Sequence, residues 1–462
     1  MESRRSFLRT TAAAAVVSQT VRGANDRIQM GIIGTGERGM QDFHAFSYHE
    51  DCVFIAACDV NKLKLEPALQ VMGGKVDAYG DYRCILERKD IDAVLITTPD
   101  HWHSPMMVEA CAAGKDVYVE KPVSHNISEG RRLVQVARKL DRICQAGTQN
   151  RSNGALAQAI KYIRDGRLGE VKLARSIVYG RRGSIGGPGS YQVPAIVDYN
   201  LWAGPAPTSP LTRPQFHYDW HWFWNTGNGE LGNNNIHSLD ICRWGLGLTG
   251  LGRAVLSYGG RLGYTDAAQT PNTQVVIYDF GGKTIVAETR GLKTEPFHPQ
   301  FKSGWIFTGT EGIVADTSLF DLDGKWVRAF EGENQNHFAN FLNAVRSRNV
   351  SALNADILEG HQSTALCHIG NISWRLGAAT SAVAIQQQLS QLQVHDDVLE
   401  TFERTRKHLA ENNVDLEKTK LTLGRWLRLH PDQERFADDP AANALLTRAY
   451  RKPFVVPAET EV

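Results

Sequence analysis

Six residues near the start of the chain, Gly34-Thr35-Gly36-Glu37-Arg38-Gly39, have the types and spacing to hold a dinucleotide. Gly34 permits a tight turn, Gly36 lets backbone approach a pyrophosphate, and Gly39 lets a following helix pack closely on the preceding strand. A helix opening here offers unpaired N–H groups and the positive end of its dipole to phosphates. The glycine pattern alone is a weak signal. Its partner is Asp59, twenty residues past Gly39 at the end of a second apolar run. A carboxylate there can accept both ribose hydroxyls of NAD and would repel the extra phosphate of NADP. NAD is the expected cofactor.

Such residues must be delivered to one place by the fold. Ile28–Ile33 runs straight into the glycines, and Val53–Cys58 ends at Asp59. Further apolar runs follow at Ile91–Thr98, Asp116–Glu120 and Arg142–Gly147, separated by helical stretches such as Pro105–Ala113 and Ser128–Leu140. Near-continuous apolar strands alternating with helices predict an α/β domain over residues 26–150, built on a doubly wound parallel sheet. Ligands on such sheets lie beyond the carboxyl ends of the strands. Three strand ends should therefore meet the cofactor: Thr98, Pro99 and His103; Glu120 and Lys121; and Gln149.

Those strand ends carry a resemblance. Thr98-Pro99-x-x-x-His103 followed by Glu120-Lys121-Pro122 resembles the Gfo/Idh/MocA oxidoreductases. So do Gly166-Arg167-Leu168-Gly169-Glu170-Val171 and Gly229 to Asp240, with its Asn233-Asn234-Asn235-Ile236-His237. The resemblance covers residues 28 to about 380. It implies a Rossmann domain followed by an α/β domain (residues 151–385) with a large, open, mostly antiparallel sheet. It also implies a homo-oligomer, dimer or tetramer, and a carbohydrate substrate between the domains. Carried over by position, Lys121 would contact both substrate hydroxyl and nicotinamide ribose, and His237 would be the acid or base for the reacting hydroxyl. Both roles are chemically sound: a His titrates near neutral pH, and an ammonium stabilises developing alkoxide charge. The family often has Asp four residues before this His, where this chain has Asn233. An amide orients hydroxyls but takes up no proton, so Asn233-Asn234-Asn235 reads as a hydroxyl-binding surface. Asp240, one turn after His237, could orient the ring or balance local charge.

Aromatic residues crowd the stretch before that helix: Trp202, then His217-Tyr218-Asp219-Trp220-His221-Trp222-Phe223-Trp224. Trp202 and His221 are candidate sugar contacts, although a core or subunit-contact role suits most of these rings better. The spacing of His217 and His221 is too loose to specify a metal site, and none is expected. Tyr179 to Gly189 is a basic, glycine-rich loop. From about residue 386 to 462 the chain is charged and helix-prone, a helical extension without an assigned chemical role.

The chain has 462 residues, with 51 Lys plus Arg against 50 Asp plus Glu, which gives no bulk charge for nucleic-acid binding. Its seven cysteines are scattered, never spaced C-x-x-C, and read as buried thiols. Arg4-Arg5-Ser6-Phe7-Leu8 with the mildly apolar Thr10–Val17 resembles a twin-arginine export signal over residues 1–25, which implies an extracytoplasmic, periplasmic protein. Beyond it, no apolar run approaches the ~18 residues of a membrane span. Three functions compete. The first is NAD-dependent oxidation or reduction at a secondary hydroxyl of a sugar, glycoside or polyol. The second is a redox-neutral glycosidase, in which oxidation of a ring carbon permits elimination of the glycosidic bond, then hydration and re-reduction. Such hydrolases tend to lack the Lys of Glu-Lys-Pro. The third is a non-catalytic sugar sensor that retains NAD.

Overall fold

A computed structural model of the chain describes residues 27–301, 303–430 and 433–458. The twin-arginine stretch lies outside the described residues. The first domain holds β1 (Ile28–Ile33), β2 (Cys52–Cys58), β3 (Asp77–Tyr79), β4 (Ala93–Ile96), β5 (Asp116–Val119) and β6 (Cys144–Ala146). They form one parallel sheet in the order β3-β2-β1-β4-β5-β6. β4 and β5 are buried along their whole length, as an inner parallel sheet requires. β3 escapes sequence reading because it is three residues long, largely exposed, and has no apolar run.

One helix starts earlier than its sequence suggests. Pro105 looks like a first-turn proline, yet the helix spans Asp100–Ala112, with Pro105 inside it and Pro99 at its cap. Asp100 through Met107 are all buried, and this packing outweighs the hydrogen bond that Pro105 removes. The consequence for the site is direct: Asp100, His101 and His103 leave β4 on a rigid helical turn instead of a loose connection.

The second domain contains β7 (Val171–Tyr179), β8 (Ala254–Gly260), β9 (Thr273–Asp279), β10 (Thr284–Arg290), β11 (Gly304–Gly309), β12 (Ile313–Ala315), β13 (Ser318–Phe320), β14 (Trp326–Ala329), β15 (Ala378–Thr380) and β16 (Leu421–Leu423). Their order is β14-β13-β12-β11-β7-β10-β9-β8-β16-β15. β7 and β10 run parallel, and their other neighbours are antiparallel. One face packs on helices Gly154–Arg164, Ile236–Leu246 and Ile357–Arg375 through a single apolar core. The helix Ile236–Leu246 is thereby fixed beneath the cleft between the domains.

The segment from 386 is helical over Val398–Glu411, but it also returns to the sheet as β16 and as β17 (Leu427–His430), which pairs with β8. The period-two Leu421, Leu423, Leu427 and Leu429 carry that signal within a charged stretch. Ile385, Leu389, Phe402 and Leu409 cover part of the sheet's other face against Leu256, Tyr258 and Ile277. Arg404 donates Nη1 and Nη2 to the fully buried Glu288 carboxylate, at 2.8 and 2.7 Å, and locks this cover down. Farther on, Phe454 meets Trp102 edge-on at 5.2 Å, while Arg451 Nε donates to the Gly204 carbonyl at 2.8 Å. The C-terminal tail therefore braces the outer wall of the cleft. Among the described residues, no helix is long and apolar enough to cross a membrane. All seven cysteines are free; six are buried and Cys84 is exposed.

Candidate active site

A cavity of about 570 Å³ lies along the carboxyl ends of β1, β2, β4 and β5 and is closed from above by the second domain. Its nucleotide end is built by the glycines. Gly34 has φ +95°, and a Cβ there would lie 2.7 Å from the Thr97 carbonyl oxygen. A Cβ on Gly39 would meet the Gly34 carbonyl oxygen at 2.1 Å. Gly36 differs: nothing lies within 4 Å of its Cβ position, so it leaves open space at the start of helix Glu37–Ser47, where a phosphate can approach the backbone. Thr35 is buried and donates its N–H (2.9 Å) and hydroxyl (3.2 Å) to Asp59 Oδ2, while Asn61 N–H holds Asp59 Oδ1 at 2.9 Å. Burial raises the Asp59 carboxyl and these donors pull it back. The carboxylate lines the cavity with acceptor capacity to spare, and Glu37 stands at the lip.

These features fit NAD. Asp59→Ala is expected to weaken NAD by about 1–3 kcal/mol, the scale of a lost charged hydrogen-bonding partner, and to narrow the preference over NADP. Calorimetric titration with both nucleotides checks this; unchanged NAD affinity would remove Asp59 from the site.

Other expected cofactor contacts are engaged with one another. Arg38 donates Nε to Glu120 Oε1 at 3.1 Å and pairs through Nη2 with Asp42 at 2.6 Å. Gln149 Nε2 donates to the same Glu120 oxygen at 2.8 Å and to the Tyr118 hydroxyl at 3.1 Å. Burial pushes against ionisation of Glu120, but the Arg38 and Lys121 charges hold it low, whereas burial and Glu120 drive Asp42 up to about 9. Arg38, Glu120 and Gln149 thus form a charged floor under the cavity. His103, expected at the cofactor, lines the cavity with its ring nitrogens 2.7 Å from the Pro122 carbonyl and 2.8 Å from the Thr98 carbonyl; burial favours the neutral ring, which donates to one of the two. Pro99 caps the helix that carries His103, and the buried Thr98 hydroxyl has no hydrogen-bond partner among the described residues.

The reacting end joins both domains. Lys121 Nζ donates to the Asn233 carbonyl at 2.7 Å. Asn233 lies in a π-helical turn, Leu231–Asn235, immediately before helix Ile236–Leu246. The wider turn shifts the register, so Asn233 and Asn234 line the cavity while Asn235 points into the sheet, onto Ser176 and Thr289. The three-residue hydroxyl-binding surface is therefore two residues. Asn233 Nδ2 is buried without a hydrogen-bond partner among the described residues, a state that calls for a ligand. His237 lines the cavity and makes no hydrogen bond among the described residues. Burial, then the Lys121 charge, lower its ring to about 4.

Asp240 does not reach the cavity. Its oxygens take Arg151 Nε and Nη2, each at 2.8 Å, and the Ser363 hydroxyl at 2.6 Å. It anchors the helix beneath His237 instead of touching substrate. Asp100 is the residue sequence reading passed over: it is buried, lines the cavity, accepts from Asn228 Nδ2 at 3.0 Å, and is pushed by burial up to about 7. Its position on the first turn of a cavity-facing helix was the available signal. Trp202, Phe216, Tyr218, Trp220 and His221 line the mouth. Trp202 stacks on Tyr199, and His221 stacks on Trp220 with centroids 3.6 Å apart while its Nδ1 meets the Tyr218 carbonyl. His217 pairs with the Asn61 amide, and no metal-holding cluster occurs among the described residues.

Two parts of one family description match this geometry: an oxidoreductase family NAD-binding Rossmann fold over residues 28–148, and its C-terminal alpha/beta domain over residues 189–409. The chain belongs to the Gfo/Idh/MocA family. The NAD-binding assignment of the first domain agrees with Gly36 and Asp59. Among curated family relatives, "Glycosyl hydrolase family 109 protein 2" of Shewanella sp. (strain ANA-3) is 37% identical over 154 residues. That match covers 32% of this chain and about a third (34%) of the relative. The fold is shared with the WlbA dehydrogenase from Bordetella pertussis, solved with NADH and UDP-GlcNAcA (21% identity, TM-score 0.57, 74% of this chain and 95% of that one). It is shared too with levoglucosan dehydrogenase in complex with NADH and levoglucosan (19% identity, TM-score 0.56, 74% and 96%).

Proposed function

We propose that this protein is an NAD-dependent oxidoreductase acting on a secondary hydroxyl of a sugar, glycoside or polyol. The observation that carries the reading is the placement of Lys121 and an unpartnered, neutral His237 in one cavity with Asp59. Oxidising a carbinol requires the hydroxyl to lose its proton as the carbonyl forms. His237 can take that proton on a free ring nitrogen. Lys121 has three N–H donors and gives one to Asn233, so it can also hold the substrate oxygen and stabilise its developing charge. The unpartnered Asn233 amide and Thr98 hydroxyl offer orienting contacts. Bound NAD supplies the hydride acceptor or donor.

One observation favours a second reading, redox-neutral cleavage of a glycoside: the 37% identical relative is named a glycosyl hydrolase. Export, proposed from Arg4-Arg5, supports it as well, because a retained cofactor would have to be regenerated by the substrate. The test uses protein lacking residues 1–26, loaded with one equivalent of NAD and given a panel of glycosides, sugars and polyols. Nicotinamide absorbance and released sugar are followed together. Stoichiometric reduction that stalls until an acceptor is added is the expected result. Sugar release without net absorbance change would establish the glycosidase, and silence in both channels would overturn both readings.

A further inference from the structure

A second cavity, of about 480 Å³, opens beside the first at the rim where β7, β8 and β10 end and β9 begins. We infer that it binds the second, neutral and hydroxyl-rich unit of an extended substrate, a disaccharide or similar glycoside whose reacting ring lies at Lys121 and His237. The inference rests on the proposed function for the reacting ring and adds the size and charge of what is attached to it.

The two cavities adjoin and share a wall. Tyr218 lines both. Glu230 Oε1 accepts from Asn234 in the first and from Arg182 Nη2 in the second, the latter at 3.0 Å. The second cavity is also built rather than incidental. Its basic loop is pinned by Arg182 N–H to the Gly291 carbonyl (2.7 Å), Ile185 N–H to Asp266 Oδ2 (3.0 Å) and Ala267 N–H to the Gly186 carbonyl (2.9 Å). Gly186 has φ +89°, and a Cβ there would lie 2.6 Å from Pro214 Cγ, so the wall closes only with glycine. Tyr218, between the cavities, holds φ +59°, a left-handed conformation costly for a bulky residue and typical of ligand-clamping sites.

The groups left over define the ligand. Asp219 is 8% exposed and lines the cavity, and its carboxylate has no hydrogen bond or ion pair among the described residues, its backbone N–H going to the His217 carbonyl. Arg181 and Gln215, on the rim, are likewise without partners there. The remaining charges cancel: Arg182 is paired with Glu230, and Arg261 with Asp266. That leaves one cation and one anion, both free to hydrogen-bond. A phosphate or carboxylate ligand calls for an excess of cationic donors, which this cavity lacks. A sugar unit both donates and accepts at its hydroxyls and needs no net charge opposite it. The Trp222 ring adds apolar surface.

The test compares kcat/KM for neutral disaccharides, the corresponding methyl glycosides, and a nucleotide-diphosphate sugar carrying the same reacting ring. The disaccharide should exceed the methyl glycoside at least tenfold. Asp219→Asn and, separately, Gln215→Ala should shrink that ratio at least fivefold, mainly through KM. Gln215 is an exposed rim residue, so its variant carries the test if Asp219→Asn fails to fold. A methyl glycoside used as well as the disaccharide, a preferred nucleotide sugar, or a ratio untouched by both variants would overturn the inference. Calorimetric binding of disaccharide to the NADH-loaded protein separates the two levels. Binding that weakens in these variants, without turnover of any sugar, would keep the second-unit site while removing the proposed function.

Discussion

Replacing Lys121 by methionine is expected to lower kcat about 10²–10³-fold while NAD affinity stays within a few-fold of wild type. Methionine keeps an unbranched apolar stem and removes only the ammonium. Nζ sits 2.7 Å from the Asn233 carbonyl, which fixes it across the domain boundary before substrate arrives. The loop behind it packs against the buried His103 ring, which donates to the Thr98 or the Pro122 carbonyl, so little reorganisation accompanies the reaction. A preorganised donor aimed at a forming alkoxide acts on the transition state more than on the ground state, and the loss therefore belongs in kcat. Arginine should not restore activity, because a planar fork cannot replace a compact ammonium with three rotatable donors. Steady-state kinetics with NAD titrations distinguish the roles. Equal losses in turnover and NAD binding would reduce Lys121 to a cofactor ligand.

The nucleotide half of this site was legible in the sequence because its determinants are local. Gly34, Gly36 and Gly39 act through backbone space within one turn, and Asp59 follows at a spacing set by one helix and one strand. The other half depends on partners far along the chain. Asp240 lies one turn from His237 in sequence, but its carboxylate is fixed by Arg151 and Ser363, 89 and 123 positions away. Arg38, grouped with the glycine-rich turn, lines the cavity but is held by Glu120, 82 positions on, a partner the turn itself does not reveal. Asn235 was separated from Asn233 and Asn234 by a π-helical turn, for which a run of asparagines gives no warning. His103 keeps its expected place in the cavity, and the two carbonyls beside its ring come from separate strand ends. The antiparallel second sheet followed from the family resemblance, whereas the stretch expected to be a helical extension returns its C-terminal leucines to that sheet, a departure signalled only by their alternation.

His237 carries the second large effect. His237→Gln is expected to lower kcat/KM for substrate oxidation about 10²–10⁴-fold, the range associated with a positioned acid or base. The pH profile supplies a sharper measurement. Neutral imidazole is the form that accepts a proton, and an unperturbed ring would lose that capacity as pH falls through about 6.5. Here burial, and next the Lys121 charge, depress the ring to about 4, while Glu120 and Asp240 oppose the shift. Activity should therefore remain level from neutrality into mild acid and fall only as pH drops through about 4. The same depression makes His237⁺ scarce at neutral pH, so the site is better poised to take the hydroxyl proton than to return one. Because Lys121 is among the causes, residual activity of Lys121→Met should show its acid limb displaced upward, toward 6.5. A histidine that merely packed the helix would give no such limb and no response to Lys121. Coupled movement of the limb shows that the ring that takes up the proton lies within the field of the Lys121 ammonium, in one site.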